Sequence, residues 1–319
     1  MKRIGVLTTG GDAPGMNAAI RSVVRYATYR NLEVMGVFRG FWGLINEELK
    51  LFGPRNVSGI INSGGTILKT ARCLEFTTEE GQRRAYEVTK KYSIDGLIII
   101  GGDGSCRAAH RFYLNYKVPC ICIAASIDND INGIDSTIGL DTAVNTALSA
   151  IDNIRDTVTS MERIFVVEVM GRESGFIALQ VALAAGCEDV IIPEREFDLE
   201  RMCHDIVNGN IRGKVSWIVV TVEGAARAED IAEKIIERTG LETRVVVLGH
   251  IQRGGRPTAF SRILATRLGK EAVDLLLKGD SDKVLGLVGG EIKAIDLEFA
   301  IQKKRIEYEE MYRLVRTLT

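Results

Sequence analysis

Short runs of consecutive apolar residues alternate along this chain with stretches whose apolar residues recur every three to four positions. The runs are RIGVLTT (3–9), EVMGVF (33–38), GLIIIGG (96–102), VPCICIA (118–124), RIFVVEVM (163–170), EDVIIPE (188–194), SWIVVTVEG (216–224) and RVVVLG (244–249). Each ends in glycine, polar residues or charge, which reads as a buried strand followed by a turn. After the first run, Met16, Ala19, Ile20, Val23 and Val24 share one face at helical spacing. Amphipathic stretches at Glu79–Tyr92, Asp141–Thr157, Phe176–Ala185, Leu199–Asn208 and Ala228–Thr239 predict further helices. Continuous apolar strands alternating with helices predict mostly parallel sheets covered on both faces, an α/β fold. Sites in such folds gather at the C-terminal ends of the strands.

Composition adds mainly exclusions. The 319 residues are 46% hydrophobic and 26% charged, with a net charge of −1. A near-neutral chain gives no electrostatic case for binding nucleic acid or an anionic membrane surface. No apolar run is long enough to span a bilayer. The start, MKRIGVLTTGGDAPG, reads as strand and turn and not as a signal peptide. The six cysteines form no CxxC, and Cys120 and Cys122 lie inside a strand run. They read as small apolar thiols of a cytoplasmic chain, without disulfide or metal use. His110 and His204 lack a ligand-like neighbour in sequence. No low-complexity linker marks a domain boundary.

The chemistry-bearing residues fall at strand ends. TTGGDAPGMN (8–17) and IIIGGDGS (98–105) both place glycines between strand and helix. There backbone N–H groups can approach a phosphate and the helix N-terminus favours an anion, although a tight βα turn needs no ligand. Asp103, among the glycines, could meet hydrated Mg²⁺ carrying a nucleotide. In SIDNDING (126–133) an extended chain would put Asp128 and Asp130 on one side. Crowded carboxylates need a metal, a cation or a shared proton, while a solvated Asx-type turn suits the same residues. Arg72 follows a Gly-Gly turn; Met170, Gly171 and Arg172 end one strand and Glu223 another. Arg244, His250 and Arg253 flank a further strand beside glycines, a plausible phosphate clamp.

GGDAPGMN, GGTILKTAR, GGDGS, SIDNDI, IGLDTA, ERIFVVEVMGR, VEG and LGHIQRGG, in this order, resemble the 6-phosphofructokinase family in its short bacterial ATP-dependent form. The resemblance runs from Ile4 to the C-terminal helix. It implies two similar three-layer αβα domains with the active site in the cleft between them. Residues 1–138 with 251–302 would bind nucleotide, and 139–250 with 303–319 sugar phosphate. It implies transfer of the γ-phosphoryl of Mg-ATP to the C1 hydroxyl of fructose 6-phosphate, giving the 1,6-bisphosphate and ADP in glycolysis.

Carried over residue by residue, Asp128 matches the catalytic base, Arg72 and Ser126 match positions at the transferring phosphoryl group, and Arg172 matches a further catalytic position. Gly11, Arg72, Cys73, Gly102, Asp103, Gly104 and Ser105 match the nucleotide side, and Asp103 and Asp130 the metal. Met170, Gly171, Arg172 and Glu223 match the sugar side, and His250 and Arg253 the 6-phosphate clamp. Arg163 and Arg244 match clamp arginines that the family lends from a neighbouring subunit, which implies a homotetramer. Arg21, Arg25, Arg155, Glu188, Arg212 and Lys214 match an effector site for ADP or phosphoenolpyruvate. The chain departs from the pattern at Ala125, Ala108 and Thr77, all near the nucleotide. Pyrophosphate-dependent relatives commonly carry lysine at the position of Ala125 and aspartate at that of Gly104. An altered donor or acceptor, or a non-catalytic regulatory paralogue, are the other readings.

Overall fold

The protein is described by a computed structural model covering residues 1–214, 216–304 and 308–318. In chain order its strands are β1 (Arg3–Thr8), β2 (Glu33–Val37), β3 (Leu49–Phe52), β4 (Gly96–Gly101), β5 (Cys120–Ser126), β6 (Ile138–Gly139), β7 (Ile164–Val169), β8 (Asp189–Ile191), β9 (Trp217–Val222), β10 (Thr243–Val247), β11 (Lys283–Val288) and β12 (Glu291–Asp296). Its helices are α1 (Met16–Tyr29), α2 (Gly40–Ile45), α3 (Glu79–Lys91), α4 (Asp103–Tyr116), α5 (Leu140–Met161), α6 (Phe176–Ala185), α7 (Leu199–Ile211), α8 (Ala228–Thr239), α9 (Ala259–Lys278), α10 (Leu297–Ala300) and α11 (Glu309–Thr317). The chain divides into two compact units, residues 1–141 with 253–305 and residues 142–252 with 306–319.

The first unit is built on a sheet in the order β12-β11-β5-β4-β1-β2-β3, with β6 pairing off β5. Its middle strands are parallel, and the fully apolar run Ile98-Ile99-Ile100 of β4 is wholly buried between β1 and β5. Strands buried on both faces have no need to alternate, which is why these runs are continuous. The predicted face of α1 (Met16, Ala19, Ile20, Val23 and Val24) is fully buried. This helix is fastened to α9 by Ser22 Oγ, which donates to Thr266 O at 2.6 Å. Both edge strands, β3 and β12, run antiparallel to their neighbours. Neither shows in the apolar pattern, because β3 is four residues long and β12 has no buried position. The β11–β12 hairpin turns on Gly289-Gly290, whose positive φ values of 60° and 80° suit a two-residue hairpin turn.

The second unit carries a wholly parallel sheet, β10-β7-β9-β8. Val166 and Val219 pack with Met202 and Ile206 of α7 and Ile231 and Ile235 of α8 in one apolar cluster. Asp198 caps α7 by accepting from Arg201 N at 3.0 Å, an orphan N–H satisfied by a short acidic side chain. No helix among the described residues is long and apolar enough to cross a membrane.

Candidate active site

In the first unit the turns after β1 and β4 meet. Ser105 Oγ, in the first turn of α4, donates to Thr9 O at 3.1 Å, so one Gly-rich turn is tied to the other. The GGTIL segment is drawn to the same end. Buried Asn17 donates through Nδ2 to Ser63 O and Gly64 O, both at 3.1 Å, and accepts from Ile67 N at 2.8 Å. Thr8 Oγ1 donates to Lys69 O at 2.9 Å. Arg72 follows on this anchored segment with its side chain exposed, and Cys73 is half-buried. Arg253 reaches the first turn, with Nη1 donating to Asp12 O at 3.2 Å.

Asp103 opens α4, where the exposed N–H groups of the helix favour negative charge. Arg107 Nε, one helical turn on, donates to its Oδ2 at 2.8 Å. The other oxygen, Oδ1, is buried without a hydrogen-bond partner among the described residues. Burial pushes the Asp103 carboxyl above its ordinary range; Arg107 opposes the shift and Asp130 adds to it. Gly102 and Asp103 are half-buried, whereas Gly104 and Gly11 are exposed.

The paired-aspartate segment departs from the extended alternation expected for it. Strand β5 ends at Ser126 and Asn129 adopts a left-handed φ of 53°, so Asp128 and Asp130 are arranged by a turn. Ser126 is its hub. Asp128 N donates to Ser126 Oγ at 3.2 Å, and that hydroxyl donates to Asp130 Oδ1 at 3.1 Å. The turn chemistry and the crowded carboxylates are therefore one arrangement and not alternatives. Asp128 is buried, at 5% exposure, and Asp130 half-buried. Three residues outside the strand–turn run fix the turn. Thr137 Oγ1 donates to Ser126 O, and Asn129 Nδ2 donates to Asp135 O at 2.9 Å. Lys304 Nζ donates to Asn129 O at 2.8 Å and to Ile134 O at 2.7 Å. Burial lowers this lysine to about 8, against the pull of Asp130 and Asp135. Nothing in a Lys-Lys pair near the end of a chain signals that role in sequence.

The acidic pair suits a hard divalent cation. Asp103 Oδ1 is a buried oxygen in need of a partner, and the mutual repulsion of Asp103 and Asp130 is of the kind a cation relieves. No cluster of three or more metal-binding side chains occurs among the described residues. Two carboxylates suit Mg²⁺, which keeps several waters and takes further oxygens from phosphates. Of the positions that depart from the family pattern, Ala125 is buried in β5, Ala108 half-buried on α4, and Thr77 exposed with Oγ1 donating to Leu74 O at 2.7 Å.

In the second unit the ends of β7, β9 and β10 gather the remaining strand-end residues. Met170 N donates to Oε1 of fully buried Gln252 at 2.8 Å, and Glu223 N donates to Val169 O at 3.0 Å. Gly224 permits close approach, since a Cβ there would lie 1.8 Å from Arg172 O. Met170 and Gly171 are buried, while Arg172, Glu223 and His250 present exposed side chains. Gln252 was not singled out by sequence; only its place inside IQRGG hints at it. Arg163 and Arg244 share one carboxylate. Arg163 Nε donates to Glu242 Oε2 at 2.8 Å, and Arg244 pairs with the other oxygen of Glu242.

Among the effector candidates, Arg155 Nη2 donates to Ala185 O at 2.6 Å and Gly186 O at 2.9 Å. Buried Glu188 accepts from Ile218 N at 2.7 Å and pairs with Lys214 Nζ at 3.3 Å. Arg212 is exposed on the turn after α7. Arg21 and Arg25 lie in the first unit on α1, half-buried and exposed respectively. His110, which has no partner nearby in sequence, has one in the fold: its Nδ1 lies 2.9 Å from Asp282 Oδ1.

Two strand–glycine–helix junctions tied together, with an acidic turn at the end of the next strand, define a phosphate-handling protein of the α/β class. The chain belongs to the phosphofructokinase family, whose model matches residues 3–276. It is 49% identical over 319 residues to the ATP-dependent 6-phosphofructokinase of Halalkalibacterium halodurans, and 48% identical over 331 to that of Halothermothrix orenii, each match covering both chains in full. Phosphofructokinase from Saccharomyces cerevisiae superposes with a TM-score of 0.88 at 34% identity, over 95% of this chain and 45% of that one. A pyrophosphate-dependent phosphofructokinase from Marinobacter aquaeolei shares the fold, with a TM-score of 0.85 at 22% identity.

Proposed function

We propose that the chain is an ATP-dependent 6-phosphofructokinase that transfers the γ-phosphoryl of ATP to the C1 hydroxyl of fructose 6-phosphate. The observation that carries this reading is the Ser126-centred turn, which buries Asp128 beside a Gly-rich junction bearing Asp103. It is supported by full-length identity near 50% to relatives of that name.

Asp128 accepts the proton of the C1 hydroxyl as that oxygen attacks the γ-phosphorus, and the bond from that phosphorus to the ADP oxygen breaks. General-base help of this kind contributes ~10²–10⁴-fold. Positioning and charge neutralisation supply most of the rest, because the group in transfer is loose and anionic. Arg72 neutralises its oxygens and Ser126 contacts it. Gly11, Cys73, Gly102, Gly104 and Ser105 line the nucleotide. Asp103 and Asp130 hold Mg²⁺, which, when bound, neutralises the phosphate oxygens. Met170, Gly171, Arg172 and Glu223 orient the sugar. His250 and Arg253 hold the 6-phosphate, with Arg163 and Arg244 lent by a neighbouring copy in a homotetramer. Residues 1–138 with 251–302 serve the nucleotide, and 139–250 with 303–319 the sugar phosphate. Arg21, Arg25, Arg155, Glu188, Arg212 and Lys214 form the effector site for ADP and phosphoenolpyruvate. A glycolytic enzyme of this kind works in the cytoplasm.

The test is purified protein with fructose 6-phosphate and either ATP or pyrophosphate. Turnover with ATP alone is the expected result. Turnover with pyrophosphate alone reassigns the donor, and none with either donor indicates a regulatory paralogue.

A further inference from the structure

Lys304 lies 170 residues beyond the acidic turn it touches, and no motif includes it. Its ammonium donates to Asn129 O and to Ile134 O, bracketing the turn from Asn129 to Ile134 at both ends. Asn129 holds a left-handed backbone, is completely buried, and has an Oδ1 without a partner among the described residues. Its conformation therefore leans on contacts made by its backbone and Nδ2. On the far side of Asp128, Thr137 holds Ser126 O. Asp128 thus sits between two anchored peptide carbonyls, one held by Thr137 and one by Lys304. The outer side of the same turn is tied to the β11–β12 hairpin, where Gly289 N donates to Asp135 Oδ2 at 2.7 Å. Release of the Asn129 and Ile134 carbonyls would loosen the turn that follows Asp128, and Lys304 opposes that motion.

We propose that Lys304 is a positioning residue for phosphoryl transfer, holding the Asn129–Ile134 turn so that Asp128 meets the acceptor hydroxyl. The proposal rests on Asp128 being the base. Misplacing a reacting group by about 1 Å can cost ~10²-fold. Lys304→Met is therefore expected to lower kcat by ~10–100-fold, with KM for ATP and for fructose 6-phosphate within about threefold of the parent.

A double-mutant cycle separates positioning from general loosening. If Lys304 acts through Asp128, Lys304→Met costs less than about threefold in kcat when Asp128→Ser is already present. Equal losses in both backgrounds overturn the proposal, as does a parental kcat in Lys304→Met alone. Parental kcat in Asp128→Ser overturns the base assignment itself, whereas an inactive Asp128→Ser beside a fully active Lys304→Met removes only Lys304. Lys304→Ala assayed with ethylammonium against potassium at equal ionic strength gives an independent reading. Amine-dependent recovery of kcat supports the role, and its absence overturns it, including where Lys304→Met does not fold.

Discussion

At the residue scale, the site depends on a relay of hydrogen bonds around the acidic turn. Asp128 is held through Ser126, and Ser126 is held through Thr137. A base acts chiefly in the transition state, so Asp128→Ser should lower kcat by ~10²–10⁴-fold with a smaller change in KM for fructose 6-phosphate. Steady-state kinetics check this, and an unchanged kcat removes Asp128 from the role. The aspartates themselves were legible in sequence as a crowded pair. Their arrangement was not, because a left-handed Asn129 replaces the alternation of an extended chain. Gln252 and Lys304 were not legible, since hydrogen bonds to backbone atoms across 82 and 175 residues leave no local pattern.

At the element scale, strand β8 begins with a buried carboxylate. Asp189 is 7% exposed, and burial raises it to about 6, while Arg201 opposes the shift from 3.9 Å. A carboxyl raised in the folded state binds its proton more tightly there than in the unfolded chain. Its stabilising contribution is therefore present at low pH and is lost as pH rises through about 6. Above that, the buried charge opposes folding by ~2–3 kcal/mol. Asp189→Asn should raise Tm at pH 8 by several degrees, and the advantage should disappear near pH 4 when both proteins are followed by thermal denaturation. Equal Tm at pH 8 would mean that Arg201 fully compensates the charge. Most central strands were legible because burial on both faces makes them continuous apolar runs; β11, an interior strand buried only over its middle, was not among the runs read. Strands β3 and β12 were not, because edge strands bury too little to imprint a pattern.

At the scale of the whole molecule, one prediction tests whether copies of the chain share an active site and another tests the proposed effector site. Arg163 and Arg244 are both paired to Glu242 on the second unit. If a neighbouring copy uses them, Asp128→Ser and Arg244→Ser proteins, each inactive, should regain activity when dissociated, mixed and reassembled. Some hybrid sites then combine an intact Asp128 with an intact Arg244. Native mass spectrometry reports hybrid formation, and hybrids that stay at the parental level rule out sharing. On α1, Arg25→Ala should blunt the response to ADP and phosphoenolpyruvate while leaving the effector-free rate nearly intact. Coupling between sites is typically ~1–3 kcal/mol, large enough for effector titrations to resolve, and a full response excludes this helix face.

The sequence by itself determined the fold class, the family and the identity of the strand-end residues. Those features are local: apolar runs, glycines at strand ends, and motifs in fixed order. Only the tertiary structure decided how the acidic turn is held, which arginines share Glu242, and that His110 faces Asp282. The contacts of Arg163 with Glu242, of His110 with Asp282 and of Lys304 with the turn join residues 79, 172 and 175 positions apart. Such contacts depend on where the sheets bring the chain back on itself, which no local pattern of hydrophobic and polar positions records.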